Sequence, residues 1–125
     1  IAAGAGTQPR DADATRVVVI ANLLSAAELA DEKEAVECME DTRDKCEEDF
    51  GPVEEALIVT PGSVPDGKEW EEWTGKMMVL FKEKEAAMKA AKALHGLKFD
   101  GRPARCAYAQ EEAFRKLHDH MTKKT

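Results

Sequence analysis

The sequence predicts an α+β domain: a ferredoxin-like split βαβ sandwich with the element order β-α-β-β-α-β and an added C-terminal helix. Three observations support this fold class. Short apolar runs mark four strands, two longer segments repeat their apolar residues every three or four positions as helices do, and turn-forming residues separate the elements. Both long helices are therefore expected to cover one face of a single sheet.

The first half of the domain contains one strand and one helix. Residues 1–15 are rich in Ala, Gly and Asp without an apolar period, which is typical of a flexible linker, so order is expected to begin near Arg16. The β-branched run Val17–Ala21 predicts the first strand. The next segment, SAAELADEKEAVECMEDTRDKCEEDFG, predicts one long helix that ends at Gly51. Its core-facing residues are Ala35, Cys38, Met39, Thr42 and Cys46.

The middle of the chain adds two strands and a second long helix. Residues 55–60 (EALIVT) predict strand two, and residues 74–81 (TGKMMVLF) predict strand three after a long loop that holds two Pro and two Gly. Residues 83–96 (EKEAAMKAAKALHG) predict an amphipathic helix capped by Gly96. Its residues expected to face the core are Ala86, Ala87, Ala90, Ala91 and Leu94.

The chain is expected to close with a turn, a strand and a helix. Residues 99–101 (FDG) predict the turn, residues 103–109 (PARCAYA) predict the fourth strand, and residues 110–121 predict the last helix. The predicted domain thus covers residues 16–121, and residues 122–125 are expected to form a disordered tail.

The net charge of −7 is concentrated in the first long helix. Between Asp31 and Asp49 the sequence has ten acids and three bases, so this segment alone carries the charge of the whole chain. Nucleic-acid affinity depends on Lys and Arg side chains that neutralise phosphates, so this helix would repel a phosphate backbone and attract a basic partner. The charge pattern therefore favours a cationic ligand.

Other patterns argue against a catalytic, metal-binding or membrane-spanning protein. No run approaches the roughly 18 apolar residues that span a bilayer. No Gly-rich phosphate loop, nucleophile elbow or Cys/His catalytic signature is present, and the His residues lack zinc-site spacing. Cys38, Cys46 and Cys106 form no C-x-x-C pair, and about 12 Å of helix separates the first two, so reduced core thiols are expected. We expect no enzyme activity, cofactor or metal.

One face of the predicted sheet lacks the aromatic rings on which a nucleic acid would stack. An RNA recognition motif (RRM) binds single strands by stacking bases on rings of its two central strands. The corresponding positions here hold Val19, Lys76 and Met78. Each stacked base contributes roughly 1–3 kcal/mol, so most of the usual binding energy is missing. The favoured interpretation is a solvated face, or one covered by the last helix through Phe114 and Leu117.

Five stretches together resemble the U2AF homology motif (UHM), an RRM variant of splicing factors. They are VVVIANLL, EDTRDKCEEDFG, TGKMMVLF, GLKFDGR and CAYAQEEAFRKL, and the resemblance runs from about residue 15 to residue 117. The sequence looks closest to the carboxy-terminal domain of the large subunit of that splicing auxiliary factor. It also resembles G-patch splicing factors of the forty-five kilodalton type, some of which carry a DNA-repair label.

The resemblance implies a protein ligand in place of RNA. UHM domains capture a short basic peptide whose tryptophan enters a pocket between the two helices, and acids of the first helix meet the Lys and Arg of the peptide. The Phe of an Arg-X-Phe loop forms part of the pocket floor. Phe99 occupies that position here, with Leu97 and Lys98 as the loop residues before it, and Asp41 occupies one acidic position. The neighbouring acids are Glu37, Glu40, Asp44 and Glu48.

Two residues depart from the family pattern. Leu97 replaces the Arg of the loop, so a charged contact is absent. Lys45 replaces the second helix acid, four residues after Asp41, and its charge is unfavourable towards a basic peptide. Weak binding, an altered pose or an unusual ligand would each follow from these changes.

The sequence therefore predicts a nuclear, non-catalytic protein-recognition module that acts in pre-mRNA splicing by docking a basic, tryptophan-containing peptide of another splicing factor. Two alternatives stay open. One is a degenerate RRM that binds RNA or single-stranded DNA through its sheet, where Lys76, Arg102 and Arg105 lie with Val19 and Met78. The other is self-association as a homodimer, in which a segment of a neighbouring copy fills the pocket.

Overall fold

The predicted order of elements and the predicted fold class are confirmed. The computed structural model describes residues 13–24, 26–59, 75–99 and 101–122. The strands are β1 (Val17–Ala21), β2 (Val53–Ile58), β3 (Met77–Phe81), β4 (Lys98–Phe99), β5 (Arg102–Pro103) and β6 (Arg105–Ala109). The helices are α1 (Ala26–Ala30), α2 (Glu32–Asp49), α3 (Lys84–Leu94) and α4 (Glu111–Thr122).

Four strands form one antiparallel sheet in the order β2-β3-β1-β6. In the central strand β1, Val19 is paired with Met78 on one side and with Ala107 on the other. Strands β4 and β5 form a separate hairpin in which Lys98 lies opposite Pro103. The turn predicted between these two strands is therefore present, and Gly101 within it has a φ of 83°.

Alternate residues of the sheet enter two separate apolar layers, one on each face. On one face, Val18, Val79 and Phe81 join a cluster with residues of α2 and α3. On the opposite face, strand residues pack with Phe114 and Leu117 of α4. These strand residues are Val17, Val19, Leu57, Val59, Met78, Leu80 and Ala109. Helix α4 thus covers the face that an RRM uses for stacking, as the favoured interpretation expects.

The first predicted helix is divided in two at Asp31. This residue has extended backbone angles (φ −96°, ψ 99°), and its carboxylate accepts hydrogen bonds from the N–H groups of Lys33 and Glu34 at 3.1 and 3.3 Å. The chain therefore leaves the helix after Ala30 and begins a new, capped helix at Glu32. The prediction of one continuous helix is wrong here, because the capping carboxylate competes with the helical backbone hydrogen bonds.

Three strands begin at positions that differ from the prediction. The predicted fourth strand begins two residues later, at Arg105, because Pro103 belongs to the separate hairpin strand β5. Strand β2 begins two residues earlier, at Val53, and its pairing with β3 shifts register between Val53 and Glu55. Strand β3 begins three residues later than predicted, at Met77. The reason is a turn at Gly75, which has a φ of 87° and donates its N–H to the carbonyl of Val59 at 2.7 Å.

Helix α3 packs at short range against the turn that follows α2. The predicted core-facing residues of α3 are all buried: Ala86, Ala87, Ala90, Ala91 and Leu94. Gly51, in the α2–β2 turn, has a φ of 149°, and a Cβ built on it would lie 2.8 Å from the Cβ of Ala86. The two smallest residue types therefore meet where α3 approaches this turn.

An ion-pair network fixes the start of α4 to the sheet. Arg16, just before β1, donates from Nε and Nη2 to the two carboxylate oxygens of Glu111 at 2.7 and 2.5 Å. Arg115 lies 3.6 Å from Glu111 and 3.7 Å from Glu54 of β2, and Arg16 lies 3.5 Å from Glu54. The hydrogen bonds from Arg16, with its positive charge, lower the pKa of Glu111.

Some predictions lie outside the described residues: most of the linker (1–12), the loop at 60–74 with its two tryptophans, and the tail after residue 122. Among the described residues, no helix has the length and apolar character needed to cross a bilayer. The described part of the chain also contains no group of three His, Cys, Asp or Glu residues that could hold a metal ion.

Replacing Gly51 by Ala is expected to destabilise the fold, because the added methyl group would clash with Ala86 and the backbone angle is one that L-residues rarely adopt. The expected loss in the free energy of unfolding is about 2–3 kcal/mol, measured by urea denaturation. Gly96→Ala is the matched control, since Gly96 also has a positive φ of 84° but an added Cβ meets nothing within 4 Å. Equal losses in the two variants would contradict a role for the contact.

Glu111 makes part of the folding stability depend on pH. Its pKa in the folded protein is lower than the ordinary 4.5, so its contribution is complete above pH 4.5 and is lost as the pH falls through the lowered pKa. Glu111→Gln should therefore reduce the free energy of unfolding at pH 7 by up to about 1 kcal/mol, because the pair is partly exposed. The variant should also lose less stability than the wild type on acidification.

The matched control for this prediction is Glu112→Gln in the same helix turn. In the described structure, the carboxylate of Glu112 pairs only with the exposed Lys116, at 3.5 Å. Denaturation curves at several pH values check both variants. If the two variants follow the same dependence on pH, the network around Arg16 does not hold α4 to the sheet.

Candidate functional site

A cavity of about 150 Å³ opens between α2 and the C-terminal end of α3. Helix α2 contributes four lining residues, Phe50 follows at the end of that helix, and α3 and the loop after it contribute one residue each. The lining residues are Asp41, Thr42, Lys45, Cys46, Phe50, Leu94 and Leu97.

The cavity combines a buried apolar lining with an exposed apolar edge. Cys46 is 1% exposed and Leu94 is 6% exposed, whereas Leu97 is 46% exposed. Among the described residues, only Leu97 and Val36 are large apolar side chains with more than a third of their surface exposed. An apolar cavity of about 150 Å³ in another protein holds a benzene molecule. The space therefore suits the ring of one aromatic side chain.

The helical repeat of α2 and the hydrogen bonds at its C-terminal end position the residues on one side of the cavity. Thr42, Cys46 and Phe50 follow one another at four-residue spacing, which puts them on the same face. The N–H groups of Phe50 and Gly51 both donate to the carbonyl of Cys46, at 2.9 and 3.3 Å. These two hydrogen bonds end the helix and hold the backbone of Phe50 beside the last core-facing turn.

Hydrogen bonds on both sides hold the loop that presents Leu97. Gly96, with a φ of 84°, donates its N–H to the carbonyl of Ala104 at 2.7 Å, and Ala104 donates to the carbonyl of Leu97 at 2.8 Å. Nδ1 of His95 accepts the N–H of Cys106 at 3.0 Å and so joins the end of α3 to β6. The exposed Leu97 side chain therefore stands on a fixed backbone.

The edge of the cavity carries one acid and one base, both from α2. Asp41 and Lys45 are exposed and both line the space. They are one helical turn apart, yet neither forms an ion pair or a side-chain hydrogen bond with any described residue. A ligand that enters the cavity would therefore meet an uncompensated negative charge and an uncompensated positive charge.

The other predicted acids lie on the exposed face of α2 and do not line the cavity. Glu37, Glu40 and Glu48 form no ion pair within the described structure, and Asp44 contacts only its neighbour Arg43, at 3.3 Å. The last turn of α2 holds acids and no base, although the helix dipole disfavours negative charge there. This arrangement places an excess of negative charge on the helix beside the cavity.

The predicted loop residues are only partly placed by the structure. Leu97 lines the cavity, and Lys98 is exposed next to it at the start of β4. The backbone of Phe99 pairs with Arg102. The side chain of Phe99 lies outside the described structure, so its role as part of the pocket floor stays a prediction.

Sequence reasoning misses four of the lining residues. Thr42, Cys46 and Leu94 are predicted only as core-facing residues, and Phe50 is not predicted to have a role. The signal for three of them is present, because the repeat of core-facing positions in α2 continues to Phe50. That repeat cannot distinguish a packed core from an open cavity, since both need apolar residues at the same spacing.

The residues considered for nucleic-acid binding fall into a buried group and an open group. Val19 is 4% exposed and Met78 is fully buried, and both pack in the layer beneath α4. Lys76 and Arg105 instead line a separate open cavity of about 420 Å³ beside the end of β1. The side chain of Arg102 lies outside the described structure.

Burial keeps the cysteines in their neutral form. Desolvation raises the pKa of Cys46 to about 11 and that of Cys106 to about 12, and it also raises the pKa of the half-buried Cys38. All three are free thiols. At neutral pH, Cys46 therefore offers the cavity an uncharged, polarisable surface that behaves as a small hydrophobic group.

The fold defines the class of the protein as an RRM-like domain. It matches the solved structure of the RNA15 RRM with a TM-score of 0.53 and 18% identity, over 82% of this chain and 98% of that one. It also matches the Rna15 RRM with bound GU RNA, with a TM-score of 0.52 and 19% identity, over 85% of this chain and 99% of that one. No family model matches the chain.

The chain is also similar in sequence to part of the large subunit of the splicing factor U2af. The chain is 32% identical over 100 residues to the B form of that protein from Oryza sativa subsp. japonica, and 31% identical over 100 residues to the B form from Triticum aestivum. Each match covers 80% of this chain and 18% of the relative, so the chain spans about a fifth of the relatives' length. Fold and relatives together confirm the resemblance to an RRM-like UHM domain, while the G-patch resemblance stays a prediction.

Thiol labelling checks the burial of the cavity lining. At pH 8, native Cys46 is expected to react with iodoacetamide about 100-fold more slowly than in urea, because only the thiolate reacts and the pKa is raised from 9.0 to about 11. Cys106 should be at least as slow, and Cys38 should react first. Mass spectrometry gives the rate for each residue. Fast labelling of native Cys46 would contradict its burial.

Proposed function

We propose that the chain is a non-catalytic protein-recognition module that docks a basic, tryptophan-containing peptide of a partner splicing factor, in nuclear pre-mRNA splicing. One observation carries the proposal: an open apolar cavity lies beside an acidic helix, several of whose carboxylates have no partner among the described residues. The apolar cavity suits an aromatic side chain, and the acidic helix beside it suits the basic residues of the same peptide.

The cavity provides a site for an aromatic anchor. Binding energy in protein interfaces is concentrated in a few buried side chains, and Trp is enriched among them. An entering ring would bury the exposed carbon surface of Leu97 and contact the neutral thiol of Cys46. The N–H of an indole needs an acceptor when it is buried, and the lining residues include Asp41 and Thr42, whose side chains carry oxygen atoms.

The acids of α2 provide attraction for the rest of a basic peptide. Glu37, Glu40 and Asp41 lie within about one turn of the cavity and form no ion pairs in the described structure. Complementary charge raises the rate of association and sets the orientation of the ligand. Binding should therefore weaken as salt is added.

The covered face of the sheet is poorly suited to base stacking. To expose Val19 and Met78, helix α4 would have to leave the sheet and expose Phe114 and Leu117 to water. Burial of each such side chain contributes about 1.5–3 kcal/mol. Displacement of α4 would thus require several kcal/mol, and the face that it uncovers offers no aromatic ring at the stacking positions.

The relatives support the cellular setting of the proposal. The curated relatives are named as splicing factors, and the structural neighbours are RRM domains, which are both non-catalytic classes. Because the chain spans only 18% of these relatives, its role in splicing and its nuclear location are part of the proposal.

Binding of RNA or single-stranded DNA is the second candidate function. The observation that favours it is the open cavity of about 420 Å³ lined by Lys76 and Arg105, which α4 does not cover. One structural neighbour is an RRM with bound GU RNA. Contact with so few phosphates would be weak and sensitive to salt. Self-association, in which a neighbouring copy fills the cavity between α2 and α3, stays a further prediction.

Titration with a synthetic basic peptide that contains one Trp tests the proposal. The amide signals of Thr42, Cys46 and Leu97 should shift, because these residues line the cavity. Asp41→Lys should weaken binding about tenfold, since repulsion replaces attraction at the edge of the cavity. Glu112→Lys in α4 is the matched control, because it changes the net charge equally at an exposed residue away from the cavity.

Two results would contradict the proposal. One is the absence of any shift at millimolar peptide, and the other is a set of shifts confined to β1 and β3. A third result would support nucleic-acid binding instead. In that case an oligonucleotide binds in a salt-dependent manner, Lys76→Ala weakens its binding, and Asp41→Lys leaves its binding unchanged.

A further inference from the structure

We infer that the open cavity beside the end of β1 binds a phosphorylated side chain of a partner polypeptide. This cavity, the basic cleft, has a volume of about 420 Å³, and ligand sites usually measure about 300–1,000 Å³. The lining residues that could bind an anion are Lys76, His95 and Arg105. In the described structure the basic cleft shares no lining residue with the cavity between α2 and α3, so the inference goes beyond the proposed function.

The basic cleft concentrates positive charge in a chain whose net charge is −7. Lys76, just before β3, and Arg105, the first residue of β6, both line it, and none of its described lining residues is acidic. The guanidinium group of Arg105 is exposed and forms no ion pair within the described structure. The ligand that this local charge attracts is therefore an anion.

His95 adds a third hydrogen-bond donor to the basic cleft. Its Nδ1 accepts the N–H of Cys106 at 3.0 Å, so the neutral ring carries its proton on Nε2 and can donate it to a ligand. An ammonium, a guanidinium and an imidazole N–H thus reach one cleft from three separate segments of the chain. A phosphate group offers three strong acceptor oxygens, and an Arg side chain can bind two of them through parallel N–H bonds.

Hydrogen bonds order the backbone around the basic cleft. The carbonyl of Lys76 accepts the N–H of Val59 at 2.9 Å, and Nδ2 of Asn22 donates to the carbonyl of Pro103 at 3.2 Å. Asn22 lines the cleft with a φ of 67°, which is uncommon for a residue other than Gly and is concentrated at functional sites. A ligand would therefore bind without having to order this part of the chain.

The surroundings of the basic cleft favour one phosphate on a polypeptide over a nucleic acid. Its described lining contains no aromatic ring, and Val19, Ala21 and Ala107 provide no surface for base stacking, which contributes roughly 1–3 kcal/mol per base. Helix α4 covers the sheet beyond the cleft, and the net charge of −7 opposes a ligand with many phosphates. A peptide with a single phosphate gains the local attraction and largely avoids this repulsion.

NMR titration of the full chain with five probes tests the inference. One probe is a short peptide of Ala and Gly with a central phosphoserine, and two others have Ser or Glu at that position. The remaining probes are inorganic phosphate and a single-stranded oligouridine. The phosphoserine peptide should shift the amide signals of Asn22, Cys106 and Ala107, which line the basic cleft, and should leave that of Leu97 unchanged.

The phosphoserine peptide should bind about fivefold more tightly than the Glu peptide, because its side chain carries roughly −1.5 to −2 charges at pH 7. The Ser peptide should cause no shift. Arg105→Gln and Lys76→Gln should each weaken binding of the phosphoserine peptide about fivefold. Arg105→Lys should weaken it less, since it keeps the charge and loses only the paired N–H bonds.

Lys89→Gln is the matched control, because it removes the same charge from an exposed residue of α3 that does not line the basic cleft. It should leave the affinity for the phosphoserine peptide nearly unchanged. Equal losses in Lys89→Gln and Arg105→Gln would show that only net charge matters, and would overturn the inference. Unchanged signals outside the cleft confirm that each variant is folded.

Three further results would overturn the inference. One is equal affinity for the Ser and phosphoserine peptides. Another is equal affinity for inorganic phosphate and the phosphoserine peptide, which would show that the basic cleft binds an adventitious ion only. The third is tighter binding of oligouridine than of the phosphoserine peptide, which would support nucleic-acid binding instead. None of these results affects the tryptophan-containing peptide, whose proposed cavity has different lining residues.

Discussion

Burial of both faces of the sheet is the constraint on which the other features of the molecule depend. One face packs on α2 and α3, the opposite face packs on α4, and every residue of β3 is buried between these layers. A ligand therefore finds no open sheet beneath α4 on which to lie. In the described part of the chain, an apolar opening lies at the seam between the two long helices, where Leu94 and Leu97 face the last turns of α2 across the cavity.

This seam contains two features that reduce the stability of the fold. Close contact between Gly51 and Ala86 closes it at the α2–β2 turn, but the apolar lining beside Cys46 stays open and Leu97 is 46% exposed, and exposed apolar surface is unfavourable. The last turn of α2 also concentrates acids where the helix dipole disfavours them. Two unfavourable features at one place are typical of a functional site, because the arrangement that binds a ligand differs there from the one that maximises stability.

The sequence predicts the fold better than it predicts the site. Strand β1 and the buried alanine face of α3 match their predictions because each is a strong local pattern of β-branched or small residues. The break at Asp31 is missed because the apolar repeat continues across it, although an Asp before the acidic turn is a recognisable cap. Cys46 and Phe50 have the spacing of core residues, since only the distance between α2 and α3 decides that they line a cavity. That distance depends on contacts such as Gly51 with Ala86, which are far apart in sequence.

The size of the cavity limits how much of the binding energy in the proposed complex can come from apolar contact. Room for one ring limits the apolar contribution to roughly that of one buried side chain, about 1.5–3 kcal/mol, which alone gives weak binding. In the proposed complex, further affinity would come from the acids of α2, and attraction between exposed charges is weak and screened by salt. The proposed interface would therefore form quickly, dissociate quickly and discriminate poorly among basic peptides.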